Sequence, residues 1–260
     1  MEISLTVPSS WSELSQEQLA FLLDTIVNVQ GINEADKFLS MSDYSAQTRA
    51  SIATYCLFRW TGLKVLTPYG DGFLLKHGKT TFELSAADLA AAIIPLDWIK
   101  DLPSEPVRLD YIGDAEAVNA DLSGVPFEDY LACENLWQGY QSTHDDERLR
   151  DMAAILYRRE GISPSESQLL GVFYWWAAVK ARFSVLFPHF LRPAEAAEGV
   201  SAPDYDTLRR NVDAQIRALT KGDVTKEAQI LALDTWRALT ELDAQAREYE
   251  EMNKRMSKKS

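Results

Sequence analysis

Three histidines, two cysteines and 39 acidic side chains are the groups in this 260-residue chain that could do chemistry. His77, His144 and His189 are spaced too widely for a metal-binding helix with two histidines one turn apart or for a local catalytic signature. His144-Asp-Asp-Glu147 strings potential metal ligands together. It also stands where a helix should begin, and carboxylates there are favoured by the helix dipole, so capping is the expected role. Glu128, Asp129 and Glu134 flank an aromatic helix, and two such carboxylates could in principle serve acid–base hydrolysis of the glycosidase kind. With 39 acidic residues in the chain such pairs arise by chance, and a solvated face is the simpler reading. Cys56 and Cys133 lie among apolar neighbours without metal-ligand spacing and read as buried thiols. Gly70-Asp-Gly72 is too short for a dinucleotide fingerprint, and no phosphate-cradling loop occurs. No nucleophile, base and oxyanion site come together, so neither an enzyme nor a cofactor or metal site is expected.

Charge narrows the partners. The formal net charge is −13, and such a surface repels nucleic-acid phosphates. The segment 204–260 holds equal numbers of acidic and basic residues, so the whole excess lies upstream. An acidic body joined to an electroneutral segment suggests two surfaces with different partners. The opening Met1-Glu-Ile-Ser-Leu-Thr-Val-Pro8 lacks the basic and apolar regions of an export signal, which makes the cytoplasm the expected location.

The elements that would position these groups are mostly helical. Ser10 with Glu13 and Ser15 with Gln18 have capping-box spacing ahead of the apolar run Leu19 to Val29. A second helix is expected from about Ser45 to Trp60, stopped by Gly62. From Lys64 to Leu84 the pattern changes to short apolar runs separated by turn residues, which predicts two or three antiparallel strands, and Val107 to Ile112 could add another. Further helices are expected from Ser85, from Pro126 to about Gln141, and after a Thr143–Asp146 cap with Leu149, Met152, Ala153 and Leu156 inward. Gly161 should close the last of these.

Ser163-Pro-Ser-Glu166 then opens a helix containing eight aromatic rings between Gly171 and Phe190. Its stripe of Val172, Trp176, Val179, Phe183, Leu186 and Phe187 reads as core, with Phe173 and Tyr174 outside the stripe as possible contact area. Its uninterrupted apolar run, Leu169 to Val179, is shorter than the ~20 residues that span a bilayer, so no membrane is expected. A linker is expected over 191–203. Beyond it, Tyr205 to Thr220 and a longer helix recapped at Thr225 form a helical pair. In the longer one Ala228, Ala232, Thr235, Leu239, Leu242, Ala246 and Tyr249 follow a 4-3 spacing. Fraying is expected after Tyr249. The fold class is therefore mainly α with a small antiparallel β element (α+β). It comprises an acidic helical body over 1–190 with its β meander at about 64–112, and a C-terminal helical region over 204–260.

The opening Pro8-Ser-Ser-Trp-Ser-Glu-Leu-Ser-Gln-Glu-Gln-Leu19, the segment Asp121 to Leu131, the Tyr174-Trp-Trp176 helix and the stretch Ala218 to Glu227 resemble proteins encoded in tailed-phage and prophage regions of gut bacteria. Continuing through Leu231, Trp236, Leu239 and Leu242, the last segment is similar to the C-terminal helical region of phage tail-assembly chaperones. That resemblance implies binding to another protein, such as the tail tape-measure protein, or to a second copy of the chain. The expected contact residues are Leu231, Trp236, Leu239, Leu242 and Tyr249. A virion structural protein, or an enzyme using acidic side chains of the body, is the alternative.

Overall fold

The computed structural model describes residues 5–30, 44–191 and 205–257. Among them are nine α-helices, a three-stranded antiparallel sheet and a two-stranded hairpin, which is the mainly helical α+β class expected. The chain divides into two compact units. One comprises Met1–Leu109 with Ser165–Tyr174, the other Asp110–Pro164 with Trp175–Ser260. The linker expected over 191–203 falls, apart from Leu191, outside the described residues.

In the first unit, helix α1 (Gln16–Gln30) starts with a reciprocal capping box: Ser15 Oγ accepts from the Gln18 amide, and Gln18 Oε1 accepts from the Ser15 amide. Just upstream, Glu13 is used by Ser9 rather than Ser10, accepting from both its amide and its hydroxyl. Helix α2 (Ala46–Thr61) is capped by Ser45 and ends at Gly62 in the left-handed conformation that favours glycine. Leu19, Leu22, Leu23 and Ile26 of α1 are buried, as are Ile52, Ala53, Cys56 and Leu57 of α2. Each fully buried Leu or Ile contributes roughly 1.5–3 kcal/mol of transfer free energy.

Strands β1 (Lys64–Tyr69), β2 (Gly72–His77) and β3 (Thr80–Leu84) form a meander in which Leu75 lies opposite both Val65 and Phe82. Leu75 is fully buried and Phe73 meets Phe58 of α2 edge-on, so one face of the sheet is apolar. A side chain at Gly72 would bring its Cβ within 2.0 Å of the Leu84 carbonyl oxygen, so this strand start requires glycine. Edge strand β1 is exposed along its length. A register irregularity between Val65 and Thr67, together with Lys64 and Pro68, blunts it against pairing with other strands. Helix α3 (Ala86–Ile93), capped by Ser85, runs into a 3-10 segment, Ile94–Lys100. Trp11 packs on Trp98 and Tyr174, and Trp98 lies parallel to Trp60.

In the second unit, only Tyr111–Ile112 of the strand expected over 107–112 forms, as β4, paired with β5 (Ala115–Glu116). Helices α4 (Phe127–Thr143) and α5 (Asp146–Leu156) follow, and Leu149, Met152, Ala153 and Leu156 of α5 are buried as expected. The cap of α5 is Asp145, which accepts from the Glu147 amide, while Thr143 accepts from the Asp145 amide. The box opening α6 (Glu166–Leu186) is Ser165 with Gln168 rather than Ser163 with Glu166. Helices α7 (Tyr205–Thr220), α8 (Glu227–Leu231) and α9 (Thr235–Ser257) complete the unit.

Helix α6 contributes its first turns to the first unit and the rest to the second. By length and mean hydropathy it could cross a membrane. Instead the protein buries its N-terminal part, with Leu169, Leu170, Val172 to Trp176, Ala178, Val179 and Phe183 all buried, while Leu186, expected in the core stripe, is exposed near the helix end. Phe173 and Tyr174, expected as outer contact area, are thus core residues, because both flanks of the stripe are covered. An apolar helix without a polar face is the pattern of a core helix.

Candidate functional site

The long C-terminal helix expected from Thr225 is broken. Asp223 caps a 3-10 turn at Val224–Lys226, and the single turn and a bit of α8 ends at Leu231. Asp234 then restarts the helix as α9, its Oδ1 accepting from the Arg237 amide. The break lets Leu233 to Trp236 bind the turn that precedes α4. The Phe127 amide donates to the Leu233 carbonyl at 2.7 Å, and Asp234 Oδ2 accepts from the Gly124 amide at 2.6 Å. Both the amide and the hydroxyl of Thr235 donate to the Val125 carbonyl. The Trp236 indole donates to the Asp121 carbonyl at 2.7 Å, and the indole of Trp175 on α6 donates to the neighbouring Ala120 carbonyl, also at 2.7 Å. Held by these bonds, fully buried Leu122 adopts φ 63°, a left-handed conformation that is costly for a branched side chain.

This wiring corrects the expected partner seam. Leu239 and Leu242 are 0% and 3% exposed, and Trp236 packs edge-on against Phe183 and Phe187. Leu231 is half-buried. Their apolar surface is largely used inside the chain. Farther along, Asp243 Oδ1 accepts from the backbone amides of His189 and Phe190, and the His189 ring lies 3.3 Å from Glu250.

Tyr249 is the exception. It is 62% exposed, and α9 continues helically through Ser257 instead of fraying, with Met252 and Met256 also exposed. At about 100° per residue these three fall within an arc of roughly 60°. Every residue from Glu251 to Ser257 is exposed. The helix therefore has two halves: one fastened into its own unit, one presenting an apolar stripe.

The groups suited to chemistry are drawn into structural roles. Glu134 Oε1 accepts from Gln138 and is ion-paired with Lys180 of α6, so it is no free carboxylate. Its Oε2 is buried without a hydrogen bond. Asp129, partly desolvated and beside Glu128, has its pKa raised. Tyr130 and Cys133 are likewise pushed well up, chiefly by burial. His144 is the left-handed C-cap of α4, its amide donating to the Tyr140 carbonyl, and Asp145 caps α5. His77 lies on β2. Among the described residues no three His, Cys, Asp or Glu side chains come together to hold a metal ion.

Two clefts remain. A polar one of about 650 Å³ in the second unit is lined by Asp114, Glu116, Asn119, Ser123 and Arg158, with Arg159 held by Asp114 at 2.7 Å. Ser123 there donates to Asp121, which closes a local turn rather than arming a nucleophile. A cleft of about 370 Å³ in the first unit is walled by Ala46, Ala50, Ala53 and Ala90, with Arg49, Asp97 and Lys100 among its lining. The exposed half of α9 combines apolar area and helical order, and is the better candidate for function. No family model matches the chain, and neither a curated protein nor a solved structure matches it.

Proposed function

We propose that this chain is an assembly or interaction protein of the tailed-phage kind, acting in the cytoplasm by docking to another helical protein rather than by catalysis. The observation that carries this reading is the C-terminal half of α9, where Tyr249 and Met252 stand exposed on an ordered helix. Apolar side chains aligned at helical spacing are the anchors by which amphipathic helices enter a groove on a partner. Exposed Met adapts to such grooves, and Tyr offers a large contact area at little entropic cost. The resemblance to tail-assembly chaperones makes a tape-measure-like helical protein the partner proposed. The contact residues differ from those expected at first, with Tyr249 retained and Met252 added.

The test is co-expression with the products of the genes flanking its own, followed by affinity purification of full-length chain and of the Tyr249→Glu/Met252→Glu variant. Both side chains are exposed, so the variant should keep the parent's circular-dichroism spectrum and melting temperature. Loss of one defined flanking-gene product from the purified variant supports the reading. Retention of the same complex by the variant overturns it.

A further inference from the structure

The polar cleft of the second unit carries a charge pattern and a strained residue that its own chain leaves unused. We propose that this cleft binds a free amino acid in its zwitterionic form, with the ligand carboxylate on Arg158 and the ligand ammonium on Glu116. The site uses no residue of α9 and is independent of the docking reading.

Helix α5 ends in a Schellman motif. The Arg158 amide donates to the Ile155 carbonyl at 3.1 Å, and the Arg159 amide donates to the Ala154 carbonyl at 2.9 Å. This pattern places Arg158 in the left-handed region, at φ 49°. Glycine is the usual occupant of that position, because an L side chain there crowds the following carbonyl. Helix α2 meets the same demand with Gly62. His144, the left-handed residue that ends α4, has its ring against Tyr140 within the chain. The Arg158 guanidinium has no comparable use. Among the described residues it makes neither a hydrogen bond nor an ion pair, and Asp129 is the carboxylate that feels its charge from a distance. A cation beside the last turn suits the helix dipole, but Arg159 supplies one without a left-handed backbone.

The charges of the lining select the ligand. They are Asp114, Glu116, Arg158 and Arg159, with no net charge among them. Arg159 and Asp114 neutralise each other at 2.7 Å. Arg158 and Glu116 remain, both exposed and not ion-paired with each other. Opposite charges held apart in a lining of zero net charge favour neither a lone anion nor a lone cation. They suit a molecule that carries both. The planar fork of an arginine takes a carboxylate through two parallel hydrogen bonds, and a glutamate accepts from an ammonium. Ala115, Ala117, Val118 and Tyr157 also line the cleft and are buried, which gives it apolar surface for the ligand's carbon atoms. Its volume of about 650 Å³ lies within the range of small-molecule sites. Because the two charged groups are exposed, the affinity expected is roughly millimolar.

The experiment is ligand-observed saturation-transfer NMR of the full-length chain with each standard L-amino acid in turn, followed by titration of those that respond. The expected result is a saturable signal from at least one of them, weakening as salt is added. The C-terminal amide and the N-acetyl derivative of that amino acid each lack one charge, and each should bind at least about tenfold more weakly. Arg158→Gly and Glu116→Gln should each abolish the signal. Arg158→Gly should also melt at or above the parent's temperature, since glycine relieves the left-handed backbone. Tyr249→Glu/Met252→Glu should bind the amino acid like the parent, which separates this site from the docking helix. The proposal is overturned by the absence of a saturable signal from every amino acid, by equal binding of the two capped derivatives, or by undiminished binding in either cleft variant. A melting temperature of Arg158→Gly well below the parent's would overturn it too, because the arginine would then be serving the fold.

Discussion

The two units use indole N–H groups differently. In the first, Trp11 donates to the Asp101 carbonyl and Trp98 to the Pro8 carbonyl, each bond joining segments 90 residues apart in sequence. In the second, Trp175 and Trp236 reach from two different helices to the adjacent carbonyls of Ala120 and Asp121. In one case two reciprocal ties join the same two short segments, and the two indoles also pack on each other. In the other, two donors converge on a single turn that also donates its Gly124 amide to Asp234 and accepts from Thr235. Convergence makes the second arrangement harder to lose piecemeal. If one donor is removed, a carbonyl is orphaned beside a turn already strained at Leu122.

The sharpest way to break this contrast is Trp236→Ala. Losing the ring from its contacts with Phe183 and Phe187, and the bond to Asp121, should destabilise the second unit by about 3–5 kcal/mol. Urea denaturation would measure it. Removing residues 235–257 should have a larger consequence still, leaving the second unit without a cooperative transition. A truncated chain with an unchanged transition would show that the turn at 120–126 folds without α9.

Next in size is Lys180→Met, which leaves Glu134 without its cation. Pairs that are fully buried lose roughly 3–5 kcal/mol when broken. Here the side chains are 29% and 21% exposed, so about 2–3 kcal/mol is expected. Adding Glu134→Leu should recover most of that loss, since an apolar pair of similar size suits an aromatic neighbourhood. If the double variant is no better than the single one, Glu134 is held by more than Lys180.

The smallest effect should come from the first unit. Trp98→Phe removes one bond to Pro8 at a half-buried site that water can reach, and should cost about 1 kcal/mol. A loss as large as that of Trp236→Ala would erase the contrast between reciprocal and convergent ties.

Much of this architecture was legible because its punctuation is local. Ser15, Ser45 and Ser85 cap helices, Gly62 ends one, and the turns at 70–72 and 77–79 divide three strands. These positions act through their own backbone neighbours, which sequence displays. The break before Thr235 was missed because Asp234 caps α9 while also reaching Gly124, a partner 110 residues away. Spacing alone showed a continuous seam from Ala228 to Tyr249, and could not show that Leu239 and Leu242 face their own chain while Tyr249 does not. Phe173 and Tyr174 were misplaced for a similar reason. A stripe predicts one buried face, and α6 between Leu169 and Trp176 is covered on all of them.

Each unit also contains one cysteine, and this gives the molecule a pair of internal clocks. Cys56 is fully buried in the first unit, and desolvation pushes its thiol up to about 12. Cys133 is as deeply buried in the second. A thiol held protonated and shielded reacts with an alkylating reagent only after its surroundings open. Modification rates at the two positions, followed by mass spectrometry of the intact chain, therefore time the opening of each unit separately and without any added label. Equal rates under native conditions would mean that both units open in one event. A faster Cys56 would mean that the unit with reciprocal ties opens while the other remains closed.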